Sequence, residues 1–357
     1  ASFYALPHGH QALLRSLDTH VPGPPATSKS YTGFLGRVNE IDDRIRRNYD
    51  VLSSMADFCH SFLGILEEQP SGSTEPERSI PSRKEMPHLS VSEHDQDRVR
   101  TALKQMARDW SDVGAQERLL AYQPILDAVV ARIPKDRTGK HILVPGSGLG
   151  RLAFEFARLG YATQGNEFSY FMLIPAHFVL NCTHRVHQHT LFPYIHSSSN
   201  WRSASDMLHS VTIPDVLPAS LDPHVDFSMA AGEFVEVYAK TEERGSWDVV
   251  ATCYFIDTAK NVLRYLEVIN HVLPVGGWWV NVGPLLWHFE QDRIPSVELT
   301  LDELLSLLAH CGFELEEQRT LSPQTYTGVP HSMLAHHYVP EFWVCRKVRH
   351  HSMAPSV

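Results

Sequence analysis

Cysteine is scarce, five residues in 357, an odd number without a single Cys-x-x-Cys pair. That argues against a disulfide framework or a zinc knuckle and fits reduced thiols. Long apolar runs are missing too: nothing approaches the ~20 residues of a membrane helix, and the opening ASFYALPHGHQALL lacks the charged start and long apolar core of a secretory signal. A cytoplasmic or nuclear protein with no membrane partner is expected. Positive charge is in deficit, 31 Lys and Arg against 41 Asp and Glu for a formal charge of −10. No global field exists to collect phosphates, so nucleic acid is not expected as a partner. Histidine is plentiful, at 22. The groups His184, His187, His189 and His331, His336, His337 lack the accompanying cysteine or carboxylate spacing typical of zinc, and no metal site is expected.

What is present is a folded chain, 43% hydrophobic, long enough for one large domain or two smaller ones. From Phe34 to Leu66 apolar residues recur at helical spacing (Phe34, Val38, Ile41, Ile45, then Val51, Leu52, Met55, Phe58, Phe62), predicting one or two amphipathic helices. The following EEQPSGSTEPERSIPSRKEMPH has almost nothing to bury and reads as a linker, with a boundary near residue 90. Ser92 is placed to cap a helix carrying Val99, Leu103, Met106 and Trp110 on one face, and a further helix is expected at about 116–133.

After Leu143 strands and helices alternate, the sign of a parallel sheet with crossover helices. The predicted strands are 141–145, 161–165, 226–232, 247–255 and 277–283. Between the second and third lies a segment too long for a simple connection, expected to build a cap over a site. CGFELEEQRT and EFWVCRKV predict an antiparallel pair at one sheet edge.

The first strand runs into VPGSGLGR. Its glycines let the backbone pass close to a ligand, and the next helix aims its N-terminal amides there. A dinucleotide fingerprint would read G-x-G-x-x-G, whereas Gly146, Gly148 and Gly150 are spaced G-x-G-x-G with Arg151 in the sixth position, favouring another adenosine ligand over NAD. Glu167 ends the second strand, where a carboxylate can accept from both ribose hydroxyls. Glu233 and Phe234 end the third, an acid for an adenine amino group beside an aromatic for its ring. Asp257 follows the fourth strand at the carboxyl edge, where open α/β sheets hold ligands; capping a helix from Thr258 would explain it equally well.

This order, with the turn Pro274 to Gly277 before the fifth strand and the antiparallel tail, resembles class I S-adenosylmethionine-dependent methyltransferases. MARDWSDVGAQER, ILVPGSGLGRLAFE, YATQGNEFSYFML, ATCYFIDTAKNV and NVGPLLWHFE resemble more narrowly the carnosine N-methyltransferase family, over roughly residues 92–348. The resemblance implies a Rossmann-like α/β sheet of seven strands, mostly parallel with an antiparallel C-terminal edge, under a helical N-terminal region. The implied division is a helical segment and linker at 1–91, a helical cap at 92–140, a methyltransferase domain at 141–348 with an insertion at 184–224, and a tail at 349–357.

It further implies S-adenosyl-L-methionine as cofactor, S-adenosyl-L-homocysteine as its product, and methylation of the imidazole of carnosine to give anserine. Gln105 and Arg108 would hold the methionine carboxylate; Gly146, Glu167, Glu233, Phe234 and Val249 would complete the cofactor site. Asp257, His288 and Tyr338 would bind substrate and carry catalysis, with Tyr326 and Trp287 lining the pocket. The partner expected is thus a small dipeptide. Histidine within a longer peptide or protein, and a non-catalytic protein that keeps the cofactor fold, stay open as alternatives, as does assembly into a homo-oligomer.

Overall fold

The computed structural model describes residues 4–17, 33–67, 91–135, 137–293 and 295–351, with side chains omitted for 59–67. The Pro- and Ser-rich stretch read as a linker lies outside the described residues. Among the described residues, four α-helices precede the sheet: α1 (His8–Ser16), α2 (Gly33–Glu67), α3 (Glu93–Trp110) and α4 (Ala115–Arg132). The periodicity from Phe34 resolves as one helix rather than two. Ser92 caps α3, its side chain accepting from the Asp95 N–H, and Leu103, Met106 and Trp110 are buried. None of the described helices is long and apolar enough to cross a membrane.

The chain then runs β1 (His141–Pro145), α5 (Arg151–Arg158), β2 (Ala162–Glu167), α6 (Tyr170–Cys182), β3 (His189–Leu191), α7 (Ala204–Met207), β4 (Val211–Ile213), β5 (Phe227–Ala231), α8 (Phe234–Tyr238), β6 (Val249–Cys253), α9 (Val262–Val272), β7 (Trp278–Gly283), α10 (Leu301–His310), β8 (Phe313–Thr320) and β9 (Glu341–Lys347). The main sheet has seven strands in the order β5-β2-β1-β6-β7-β9-β8. The first five pair in parallel, while β9 runs antiparallel to both β7 and β8. This is the Rossmann-like class I methyltransferase sheet. Its central strands read Ile-Leu-Val and Val-Val-Ala because both faces are covered. One face packs α8, α9 and α10 around Trp279 and Trp343; the other packs α4 and α5 around Ile125, Phe156 and Val280.

Strand order reverses between β1 and β6, so their carboxyl ends open onto the crevice where such sheets bind ligands. The helical region is fastened there. Arg151, at the start of α5, makes ion pairs with Asp215 and Glu155, donates to the Asp109 carbonyl and lies over the Trp110 ring. Arg118 of α4 meets the same Asp215 at 2.6 Å. The position where a dinucleotide fingerprint needs a third glycine for close helix packing is thus a buried cross-link to the 184–224 segment. Asn48 of α2 exchanges two hydrogen bonds with the Phe192 backbone. The N-terminal helix therefore docks on that same segment.

Candidate functional site

Beyond β1 the backbone turns through left-handed conformations at Gly146, Gly148 and Gly150 (φ +61°, +55° and +78°). A Cβ at Gly146 would come within 2.4 Å of the Phe255 ring, so only glycine fits. The Gly148 N–H donates to Glu167 Oε2, and the Phe168 and Ser169 N–H groups donate to Oε1. Glu167 thereby ties the glycine turn to the end of β2. A carboxylate has about four acceptor positions, so three are engaged and little capacity remains for ribose hydroxyls. Burial pushes its pKa above the ordinary value despite these bonds.

The last turns of α3 close the turn from the other side. Gln105 Nε2 donates to Asp109 Oδ2, and Arg108 Nη1 donates to Asp109 Oδ1 and to the Tyr122 hydroxyl. Arg108 also stacks 4.5 Å from the centre of the Tyr326 ring. Its Nε is buried without a hydrogen-bond partner, 3.5 Å from Glu117. Asp109, 1% exposed, orients both cofactor candidates, yet sequence reasoning passed it over. Its spacing of four from Gln105 on one helix was the available signal. A narrow cleft of about 30 Å³ between Gln105, Arg108, Gly146 and Gly148 is bounded by Tyr326.

Across the crevice, β6 delivers Tyr254 and Asp257. Asp257 lies in a single tight turn, Ile256–Thr258, while the next helix begins at Val262 under an Asn261 cap. Helix capping is thereby overturned as its explanation. Asp257 Oδ2 instead accepts the Leu286 N–H at 2.8 Å, and its carbonyl accepts the His288 N–H at 3.1 Å. These bonds hold the loop after β7 against the crevice. Asp257 is 3% exposed; burial raises its pKa, opposed by the Leu286 hydrogen bond and the nearby His288. His288 is exposed beside it.

Tyr326 and Tyr338 are brought together by a third tyrosine absent from the sequence reading. The Tyr254 ring lies 4.9 Å from Tyr326 and edge-on to Tyr338 at 5.8 Å. Tyr254 holds a left-handed φ of +54°, uncommon for a tyrosine. Its hydroxyl is buried with no partner. Trp287 is turned away, its Nε1 donating to the Leu299 carbonyl.

The remaining candidates separate. Glu233 caps α8 by accepting the Glu236 N–H. The Phe234 ring, 3% exposed, meets Phe255 and Tyr265 edge-on inside an aromatic cluster. Val249 is a correction. It is fully buried at the amino end of β6, paired between β1 and β7. At about 3.3 Å per residue it lies roughly 13 Å from the carboxyl edge, so neither its side chain nor its backbone faces the site.

Behind Tyr326 a second cavity of about 710 Å³ opens between α3, α4 and residues 193–201 and 325–336. It shares Arg108 and Tyr326 with the narrow cleft.

Residues 86–349 match the family described as carnosine N-methyltransferase. The chain is 41% identical to the carnosine N-methyltransferase of Schizosaccharomyces pombe over 89% of this chain and 84% of that one. It is 37% identical to the Mus musculus carnosine N-methyltransferase over 97% of this chain and 79% of that one. Among solved structures, a SAM-dependent methyltransferase from Methanosarcina mazei aligns with 14% identity and a TM-score of 0.41, over 62% of this chain and 97% of that one.

Proposed function

We propose, from the premise that the chain belongs to the carnosine N-methyltransferase family, that it transfers a methyl group from S-adenosylmethionine to the imidazole of carnosine, releasing anserine and S-adenosylhomocysteine. The observation that carries this reading is Asp257. It is a buried carboxylate fixed through one oxygen at the carboxyl edge of the switch point, beside the exposed His288 and three residues after Tyr254, whose ring gathers Tyr326 and Tyr338.

The residues suit the cofactor's methionine end. Arg108 and Gln105 line the cleft beside the glycine turn, where a guanidinium and an amide suit a carboxylate that they would hold. When bound, the sulfonium supplies an electrophilic methyl.

The chain's own part is positioning, because an in-line displacement needs the imidazole lone pair aimed at that methyl. A neutral imidazole, with a reference pKa of about 6.5, already has the lone pair. As its attacking nitrogen becomes bonded, the ring turns cationic. Asp257 at the other ring nitrogen would select the tautomer, offset the growing charge and accept the N–H proton. Burial, by raising the pKa of Asp257, makes it the better acceptor. His288 and the tyrosine hydroxyls would orient the dipeptide.

Incubation with labelled S-adenosylmethionine and carnosine, a histidine-containing peptide or no acceptor tests the reading. Label in carnosine at the imidazole supports it; cofactor binding without transfer to any acceptor would overturn it.

A further inference from the structure

Arg100 and Lys104 of α3 and His196 of the 184–224 segment converge on the 710 Å³ cavity. Arg100 is engaged only at the exposed α3 surface, by Asp97 and Gln96, and Lys104 has no ion-pair partner among the described residues. Burial, and after it the charges of Arg100 and Lys104, hold the His196 pKa below its ordinary value. The histidine therefore stands as a neutral hydrogen-bonding group beside two cations.

Asp97 meets Arg100 on the outer surface of α3, and among the described residues no carboxylate free of other partners lines the cavity itself. Glu117 is the single acid among the cavity's described lining residues, and it is occupied. It accepts from the Thr325 hydroxyl and from the Thr327 and Gly328 N–H groups, holding residues 325–328 in place. In a chain of net charge −10, a cavity wall on which Arg100, Lys104 and Arg108 outnumber one already engaged acid is a local inversion that favours an anion.

The position of the cavity says which anion. Tyr326 lines both this cavity and the narrow cleft, and its ring lies 4.5 Å from the Arg108 guanidinium and 4.9 Å from Tyr254, which meets Tyr338. A dipeptide whose imidazole is held on the Asp257 side must place its peptide end nearby, and the 30 Å³ cleft cannot receive it. We infer that the cavity behind Tyr326 is a carboxylate subsite, in which Arg100 and Lys104 read the C-terminal carboxylate of the peptide substrate. This rests on the proposed methyl transfer to carnosine for the direction in which the ligand lies, and makes the enzyme selective for imidazoles that carry an acid.

Carnosine and its decarboxylated counterpart, β-alanyl-histamine, separate the two readings. Calorimetry in the presence of S-adenosylhomocysteine and steady-state turnover are measured for the parent protein, Lys104→Met, Arg100→Met and the double variant. The parent should bind carnosine about 10-fold or more tightly than the decarboxylated compound. Each single variant should narrow that gap and the double variant abolish it. kcat on saturating β-alanyl-histamine should stay unchanged, and Lys104→Arg should keep most of the preference.

Equal binding of both compounds by the parent, or a gap that survives in the double variant, overturns the subsite. Carnosine bound with the expected gap but never methylated overturns the catalytic reading and keeps the subsite. Methylation of both compounds with equal KM does the reverse, and binding of neither defeats both.

Discussion

On the β1 side of the crevice Glu167 accepts three backbone N–H groups, and Asp109 holds Gln105 and Arg108 together. On the β6 side the Asp257 carboxylate has one N–H donor, from Leu286, and the Tyr254 hydroxyl has none. Burial is similar on both sides, so exposure does not explain the difference. The β1 side is a network whose members satisfy each other, which makes it stiff and costly to break. The β6 side carries polar groups with capacity unused inside the protein, and buried groups of that kind are costly unless something else completes them.

The comparison breaks most sharply at Asp215. Both Arg118 and Arg151 depend on it, and all three side chains are under 10% exposed. Asp215→Ala would strip Arg118 of its carboxylate, leave Arg151 with Glu155 alone, and cost about 3 to 5 kcal/mol. A fall in Tm on the order of 10 °C is expected. A melting curve within 2 °C of the parent would mean that the junction between α5 and the helical region is wet and soft.

The β6 side should respond in the opposite sense. Asp257→Asn keeps an oxygen for the Leu286 N–H while removing the charge, and turnover should drop ~10²-fold or more. Stability should not fall with it. Because the folded pKa of Asp257 is raised, its contribution to stability is present below the unfolded value near 3.8 and declines as pH rises through the folded value. The Asn variant escapes that decline, so its Tm relative to the parent should grow across this window and stay level above it. Parent-rate turnover with an unchanged pH profile would assign Asp257 to holding the loop alone.

Glu167→Gln probes the stiff side. The carboxylate's charge supports three N–H donors, and its loss should weaken S-adenosylhomocysteine binding about 10-fold, a loss of roughly 1.4 kcal/mol. The cause would be a loosened glycine turn as much as a lost ribose contact. Calorimetry gives the affinity, and faster hydrogen exchange at Gly148 identifies the turn. Unchanged affinity and exchange would show that the network does not need the charge.

What the sequence made legible follows from range. Strands β1, β2, β5, β6 and β7, the antiparallel tail and the Ser92 cap are encoded in contiguous residues, and their periodicity and turn chemistry survive without knowledge of the rest. Arg151 was visible as a break in a glycine pattern, but its reason, Asp215, lies 64 positions away in the segment no periodicity could place. Asp257 offered a local capping explanation; the structure replaces it with a partner 29 positions on. Val249 entered through the resemblance alone, and its place at the amino end of β6 is set by strand pairing that no local motif displays. Tyr254 was passed over because CYF after an apolar strand reads as one more turn of core, and backbone strain leaves no mark in composition.

The smallest predicted effect is the most discriminating. Tyr254→Phe removes one buried oxygen that has no partner in the protein and leaves the ring between Tyr326 and Tyr338. If the hydroxyl were structural, its loss would destabilise; being unpaired, its removal should be neutral or stabilise by up to ~1 kcal/mol. Should the same oxygen hydrogen-bond the dipeptide, KM for carnosine should rise about 3- to 10-fold, the worth of one neutral hydrogen bond, with a smaller change in kcat. The two measurements then move apart, with stability held or raised while substrate binding weakens. A network residue on the β1 side cannot produce that pattern, because its polar atoms already serve the fold. Tyr254→Phe with lower Tm and unaltered KM would place the hydroxyl in a structural hydrogen bond, and the contrast between the two sides would then rest on Asp257 alone.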